Sequence, residues 1–315
     1  MNLCVFGAAS DSIDRKYIAG AERLGRCLAE RGLGVVFGGG ATGVMGGLAR
    51  GVLAQGGRLI GVAPRFFDRP GVLVPACDLR FTDTMAQRKT LMEDLSQGFL
   101  VAPGGIGTME EFFEVLTLRQ LGRHFKPIGI LNLDGCYDGL VEQLRDMVTG
   151  GFLDRATFEG IRVFPQPEDC AQWFASALRE TVLVSACLLG QNCSYRGDSN
   201  FCQKVLDETG VKIPVCPEQL GGLPTPRCPA ECKNGGVFTQ DGSDVTAQYR
   251  LGAEEAVRIA RENGCTRAIL KARSPSCGVG SRYDGNFVHK EVPYDGITAD
   301  ALRKAGLRLQ TEEDV

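Results

Sequence analysis

Gly34-Val35-Val36-Phe37-Gly38-Gly39-Gly40-Ala41-Thr42-Gly43-Val44-Met45-Gly46 decides the fold of the first half of this chain. A short apolar run of strand length ends in a glycine cluster, and a helical apolar period runs on from Val44 to residue 55. Glycines at that point let the backbone approach a ligand closely. The helix N-terminus behind them offers free N–H groups and the positive end of its dipole. The device recurs at Pro103-Gly104-Gly105-Ile106-Gly107-Thr108-Met109-Glu110-Glu111, after the apolar run 98–102. Working outward, apolar runs at 3–6, 58–62 and 127–131 alternate with helical periods at 17–31, 109–121 and 137–149. This rhythm predicts a Rossmann-like α/β domain, a parallel sheet with helices on both faces. Such sheets bind ligands at the carboxyl ends of their strands, where both glycine clusters fall.

The whole chain has 315 residues, which suits two domains better than one. Hydrophobic residues make up 43% and charged residues 23%, enough for each half to bury a core. The net charge of −3 gives no overall basic footprint for nucleic acid. No apolar run reaches membrane-spanning length, and the N-terminus lacks the pattern of a signal peptide. The expected setting is therefore cytoplasmic, with small molecules rather than nucleic acid or membrane as partners.

A boundary is expected near residues 178–181, giving domains 1–179 and 180–315. The 13 cysteines divide unevenly across it, five before residue 180 and eight after. Cytosolic thiols stay reduced, so metal binding or catalysis explains the second group better than disulfides do. Cys4, Cys27, Cys77, Cys136 and Cys170 read as small buried hydrophobes. The second half places turn-rich stretches (221–236, 274–285) around helical periods at 252–263 and 298–306. It reads as a smaller α/β domain with long loops.

In the first half, Gly39, Gly40, Thr42 and Gly43 form one candidate phosphate cradle, and Gly104, Gly105, Gly107 and Thr108 the other. Glu110 and Glu111 follow in the first helical turn, and Arg88-Lys89 lies upstream. The plain reading of the acid pair is compensation of the helix dipole; the functional one is a carboxylate held beside a phosphate. On these residues the first half resembles the Lonely Guy family of nucleoside 5′-monophosphate phosphoribohydrolases, whose members long carried the name lysine decarboxylase. The resemblance covers nearly all of residues 1–175. It implies hydrolysis of an N-glycosidic bond to free base and ribose 5-phosphate, with Arg88 and Glu111 as the catalytic pair. Gly105, Gly107 and Thr108 match the family's phosphate loop, and Lys89 is expected at the nucleotide. Hydrolysis builds oxocarbenium character on the ribose, which a carboxylate can stabilise or attack through water, while a fixed guanidinium orients the acid. Ala86 and Gln87 stand where the family commonly has His and Glu, and Ala41 where it commonly has Ser. These departures sit near the expected base and phosphate and call the usual adenine-type or cytokinin-type preference into question.

In the second half, Cys187, Cys193, Cys216, Cys228, Cys232 and Cys277 all lie near glycine or proline, on turns. Thiolates on turns suit zinc or an iron–sulfur cluster. No CxxC pair occurs, and only Cys228 and Cys232 approach that spacing, so a zinc ribbon is the weaker reading. The strings Ser185-Ala186-Cys187-Leu188-Leu189-Gly190, Pro214-Val215-Cys216-Pro217-Glu218, Ser274-Pro275-Ser276-Cys277-Gly278 and Tyr283-Asp284-Gly285 resemble the 2-thiouracil desulfurase family. The resemblance implies a 4Fe–4S cluster on Cys187, Cys216 and Cys277, with one iron left open to a thione sulfur. Glu218 and Ser276 are placed to move protons there; the plain reading of Glu218 is a buried carboxylate tethering a loop.

Joined, the two resemblances predict a bifunctional salvage enzyme. It would hydrolyse a thiopyrimidine nucleoside monophosphate and desulfurate thiouracil to uracil and sulfide. The alternatives are two independent activities, or an iron–sulfur sensor domain that regulates the hydrolase. A homodimer is expected from the habit of the first family.

Overall fold

In the computed structural model, which describes residues 1–315, strand and helix alternate from β1 (Asn2–Phe6) and α1 (Arg15–Glu30) onward. Then come β2 (Gly34–Phe37), α2 (Gly43–Ala54), β3 (Leu59–Pro64), β4 (Asp78–Thr82) and α3 (Met85–Asp94). β5 (Gly98–Val101), α4 (Ile106–Gln120), β6 (Ile128–Leu131) and α5 (Asp138–Thr149) follow. α6 (Arg155–Glu159), β7 (Ile161–Phe164) and α7 (Pro167–Ala177) close this unit, which spans Met1–Arg179. All seven strands are parallel, in the order β4-β3-β2-β1-β5-β6-β7. The order reverses between β1 and β5, and that reversal opens a crevice at the carboxyl ends of the strands.

Alternation along each strand fills both faces of the sheet. Cys4, Phe6, Val36, Ile60, Val62, Phe99, Val101, Ile128 and Ile130 pack with Phe112, Val115 and Leu116 of α4 into one core. On the other face α1 lies against α2 and α7. Glycines make the first of those contacts close. A Cβ on Gly47 would stand 2.5 Å from the Ile18 carbonyl oxygen, and one on Gly25 would stand 2.8 Å from the Val52 nitrogen. Gly51 likewise abuts the Glu22 backbone of α1. Gly51→Ala is therefore expected to destabilise this unit by about 1–3 kcal/mol through overpacking. Alanine's better helix propensity offsets only about 1 kcal/mol of that. Denaturant melts would show a lowered midpoint at unchanged slope.

His124 is a structural residue of this core. Its Nδ1 accepts from the Lys126 N–H at 3.2 Å, so Nε2 carries the proton and donates to the Val115 carbonyl at 2.8 Å. Its ring lies 5.3 Å from that of Phe99. Burial chiefly, with the nearby Arg119 and Lys126 charges, lowers its pKa to about 4. A folded pKa below the unfolded value of about 6.5 stabilises above that value and is lost as pH falls through the folded one. The unfolding temperature is expected to drop between about pH 6.5 and pH 4. A His124→Gln variant should lose part of that slope; an unchanged slope would contradict this assignment.

The second unit, Glu180–Val315, has its own parallel sheet. Its order is β15-β12-β8-β9, built from β8 (Thr181–Ser185), β9 (Val211–Val215), β12 (Arg267–Leu270) and β15 (Arg308–Thr311). Two antiparallel pairs stand apart from it, β10 (Ala230–Lys233) with β11 (Gly236–Thr239), and β13 (Arg282–Tyr283) with β14 (Glu291–Val292). The helices are α8 (Gln203–Asp207), α9 (Pro217–Leu220), α10 (Thr246–Glu262) and α11 (Ile297–Lys304). Leu183, Val215, Ala268, Leu270, Ala299 and Leu302 form its core. The fold of each unit is the α/β architecture read from the sequence. No helix is long and apolar enough to cross a membrane.

Several elements were not legible, α6 and most strands of the second unit among them. β4 and β7 flank the first sheet with half-exposed, mixed residues, and α3 has no apolar stripe to announce it. The expected burial of the first five cysteines holds for Cys4 and Cys170. Cys27 and Cys77 are half-buried and Cys136 is exposed, because they lie at helix ends and loops rather than on the inner faces.

Candidate functional site

Arg88 and Glu111 meet at the carboxyl edge of the first sheet. Arg88 rises from α3, whose start is fixed by a capping box between Thr84 and Gln87. Gln87 accepts the Asp83 and Thr84 N–H groups at 3.0 and 3.2 Å, so glutamine here does the work a glutamate would do in that box. The Arg88 guanidinium donates through Nε to the Val62 carbonyl at 3.1 Å and through Nη1 to Glu111 Oε1 at 2.7 Å. A side chain on Gly38 would collide with that guanidinium, so the first glycine cluster exists partly to admit Arg88. Both partners are 11% exposed. Burial pushes the Glu111 carboxyl up, and the Arg88 charge opposes it. Lys89 is held by Glu110 and, at 2.8 Å, by Glu114.

The two glycine turns differ. At the first, Gly39 and Gly43 have left-handed φ values of 79° and 61°, which favour glycine. The donors expected for a phosphate are engaged within the chain: the Gly43 N–H donates to Asp11 Oδ1 at 2.8 Å, and the Thr42 hydroxyl to the Ala9 carbonyl at 2.5 Å. Asp11 thus takes the anion's place at the start of α2. Its signal in the sequence was an acid between β1 and α1, three residues before Asp14. The second turn is open. Nothing lies within 4 Å of where a Cβ would stand on Gly105 or Gly107, and both are exposed. Thr108 is buried at 4% beneath Gly104, so it shapes the turn rather than facing solvent. Tyr137 ties the turn down by donating to the Ala102 carbonyl at 2.8 Å.

In the second unit the sheet order explains the cysteines. β9, β8 and β12 are neighbours, all parallel. Cys187 follows the end of β8, Cys216 directly follows β9, and Cys277 lies on the loop after β12. The strand order reverses at β8, so these loops meet over one crevice, and all three cysteines line one cavity of about 550 Å³.

Cys193, 3% exposed, shares this cavity. Its thiol hydrogen bonds toward both Cys187 and Cys216, lowering the first and bringing the second to about 7, while its own proton is held firmly. Burial drives the Cys277 thiol up. Glu218 stands on the same wall with its side chain 13% exposed, and desolvation raises its carboxyl against the opposing charge of Arg227. Arg227 donates through Nε to Glu218 Oε2 at 2.8 Å and through Nη2 to the Cys193 carbonyl at 3.0 Å. It was missed in the sequence because no motif marks it; it reaches the site only through the fold. Ser276 corrects an expectation. It is fully buried, it shares a 2.8 Å hydrogen bond with Thr298, and it does not line the cavity. Ser274, two residues earlier, does line it. Residues 274–277 form a turn, closed by the Cys277 N–H donating to the Ser274 hydroxyl at 3.1 Å, and that turn faces Ser276 into the core.

Two family models match the chain. One described as possible lysine decarboxylase covers residues 45–174, and one described as 2-thiouracil desulfurase covers residues 182–314. A probable cytokinin riboside 5′-monophosphate phosphoribohydrolase of Oryza sativa subsp. japonica is 40% identical over 159 residues. That match takes in 50% of this chain and 61% of the rice protein, so the chain spans less than two thirds of that relative. The cytokinin riboside 5′-monophosphate phosphoribohydrolase of Rhodococcoides fascians is 38% identical over 162 residues, covering 50% of this chain and 80% of the relative. A solved [4Fe-4S]-dependent thiouracil desulfidase, TudS, is 39% identical, covering 43% of this chain and 93% of its own, with a TM-score of 0.41. Through its first half the chain belongs to the Lonely Guy phosphoribohydrolase family, and through its second half to the 2-thiouracil desulfurase family.

Proposed function

We propose that the chain is a bifunctional salvage enzyme for sulfur-modified pyrimidine nucleotides. The observation that carries this reading is the convergence of Cys187, Cys216 and Cys277 on one cavity, in a chain whose other half is related to phosphoribohydrolases.

In the hydrolase half, water adds across the glycosidic bond: its hydroxyl goes to the ribose C1′ and its proton to the base. Glu111, fixed by Arg88, holds its carboxylate where positive charge develops on the sugar or where water must be deprotonated. The open turn at Gly105 and Gly107 admits the 5′-phosphate at the start of α4. Lys89 is held by Glu110 and Glu114, which lie beyond the first turn of α4.

In the other half the donor set fits an iron–sulfur cluster: three soft thiols around one space, two of them eased toward thiolate by Cys193. When bound on Cys187, Cys216 and Cys277, a 4Fe–4S cluster supplies an iron without a protein ligand, a soft Lewis acid for a thione. Desulfuration exchanges the ring's sulfur for the oxygen of water and releases hydrogen sulfide, with no net change in oxidation state. Glu218 stands on the cavity wall with its carboxylate aligned by Arg227, placed to take protons from water and return them to the leaving sulfide.

A second reading has one observation in its favour. The relatives of the first half are named for cytokinin riboside monophosphates, which would make the two activities independent. One experiment separates the two. The cluster is reconstituted anaerobically, 2-thiouridine 5′-monophosphate is added, and products are resolved over time. Thiouracil first and uracil second supports the coupled order. Uridine monophosphate first moves desulfuration to the nucleotide. Faster hydrolysis of adenosine monophosphate than of the thionucleotide supports independent activities.

A further inference from the structure

The segment between β13 and β14 is held in an unusual shape. Phe287 and His289 both have left-handed φ values, 56° and 55°, although neither is glycine. Bulky residues adopt that conformation only when their surroundings impose it. Here the imposing group is Glu231 of β10, 7% exposed, one of whose carboxylate oxygens accepts the N–H groups of Gly285 and Phe287, each at 3.0 Å. Further bonds close the segment on itself: the Asp284 N–H donates to the Lys290 carbonyl at 2.9 Å, and the Asn286 N–H to Asp284 Oδ1 at 3.0 Å. Lys233 adds a 2.9 Å bond to the Asn286 side chain. Gly285, with φ 88°, rests directly on β10; a Cβ there would stand 2.6 Å from the Cys232 carbonyl oxygen.

The result is a division of side chains. Tyr283, Phe287 and His289 line the cavity that holds Cys187, Cys216 and Cys277, while Val288 between the last two is 65% exposed. The rings of Tyr283 and His289 meet edge to face, 5.3 Å apart. A wall of aromatic faces is suited to a flat heteroaromatic ring and poorly suited to an aliphatic thioamide.

We propose that Phe287 and His289 form the base-binding wall of the desulfurase cavity, and that Glu231 is a positioning residue that holds them there. This rests on the desulfurase reading above. Wall residues select by affinity for the planar base.

The test uses the full chain with its cluster reconstituted. Iron content, visible absorption, equilibrium binding of 2-thiouracil, and KM and kcat for its desulfuration are measured for each variant. Phe287→Ala is expected to weaken binding and raise KM about tenfold, with kcat within about twofold and iron unchanged. Phe287→Leu keeps apolar volume but loses the ring face, and should show the same loss. Glu231→Gln should shift KM in the same direction, and Val288→Ala should change nothing. Unchanged binding and KM in both Phe287 variants, while the wild type turns over, would overturn the wall and leave the desulfurase reading intact. A cluster-loaded wild type that neither binds nor desulfurates thiouracil would overturn the desulfurase reading, and the wall with it.

Discussion

Glu111→Gln is expected to lower the release of ribose 5-phosphate from a nucleoside monophosphate by about 10³-fold, within the usual range for a lost general acid–base group. Glutamine keeps the length of the side chain and an oxygen for Arg88 Nη1, so the 2.7 Å contact survives without its charge. Alanine is the poorer probe. It would strand a guanidinium that is 11% exposed, and breaking a buried pair that way costs about 3–5 kcal/mol. The Gln variant should therefore melt near the wild type while its turnover collapses. The pH profile gives an independent check. Burial, opposed by Arg88, raises the Glu111 carboxyl, so its active carboxylate is lost on acidification sooner than an ordinary glutamate would be. The acid limb of the rate should lie above the usual glutamate range and vanish in Glu111→Gln. A Gln variant that hydrolyses at the wild-type rate would remove Glu111 from the chemistry.

Cys277→Ala carries the second large effect. With one of three ligands gone, cluster retention is expected to fall at least about tenfold, and desulfuration with it. Hydrolysis should stay within about twofold, because Cys277 lies in the core and cavity of the second unit only. Cys265→Ala is the matched control. It packs against the same core but does not line the cavity, so it should keep its iron. Iron and sulfide content, read before any activity assay, decides the matter. Full iron in Cys277→Ala would refute the ligand assignment. Loss of hydrolysis together with the cluster would favour the sensor reading over the coupled enzyme.

Much of this was legible because the signals were local. A strand such as Gly34–Phe37 with both faces buried reads as a continuous apolar run, and a helix that begins at a glycine turn announces its own start. β4 and β7 escaped because edge strands carry mixed residues. α3 escaped because it is mostly polar and buries only Met92 fully, while presenting Arg88 and Lys89. Among the site residues, Glu111 and Arg88 were found by motif, and their contact is a product of packing. Thr42 and Gly43 looked like phosphate donors because nothing nearby in sequence shows that the Ala9 carbonyl takes the Thr42 hydroxyl and Asp11 the Gly43 N–H. Ser276 looked catalytic through its adjacency to Cys277, yet the turn at 274–277 buries it, and its hydroxyl pairs with Thr298.

The sequence by itself determined the alternation of strands and helices, the glycine turns and the two sets of chemical residues, because each depends on spacing along the chain. Only the tertiary structure decided which donors stay open, that Arg227 aligns Glu218, and that Glu231 holds the backbone of Gly285 and Phe287. Those facts arise from contacts between segments 9 to 56 residues apart. They are set by strand order and by the burial of polar groups that must find partners, and no local pattern records either.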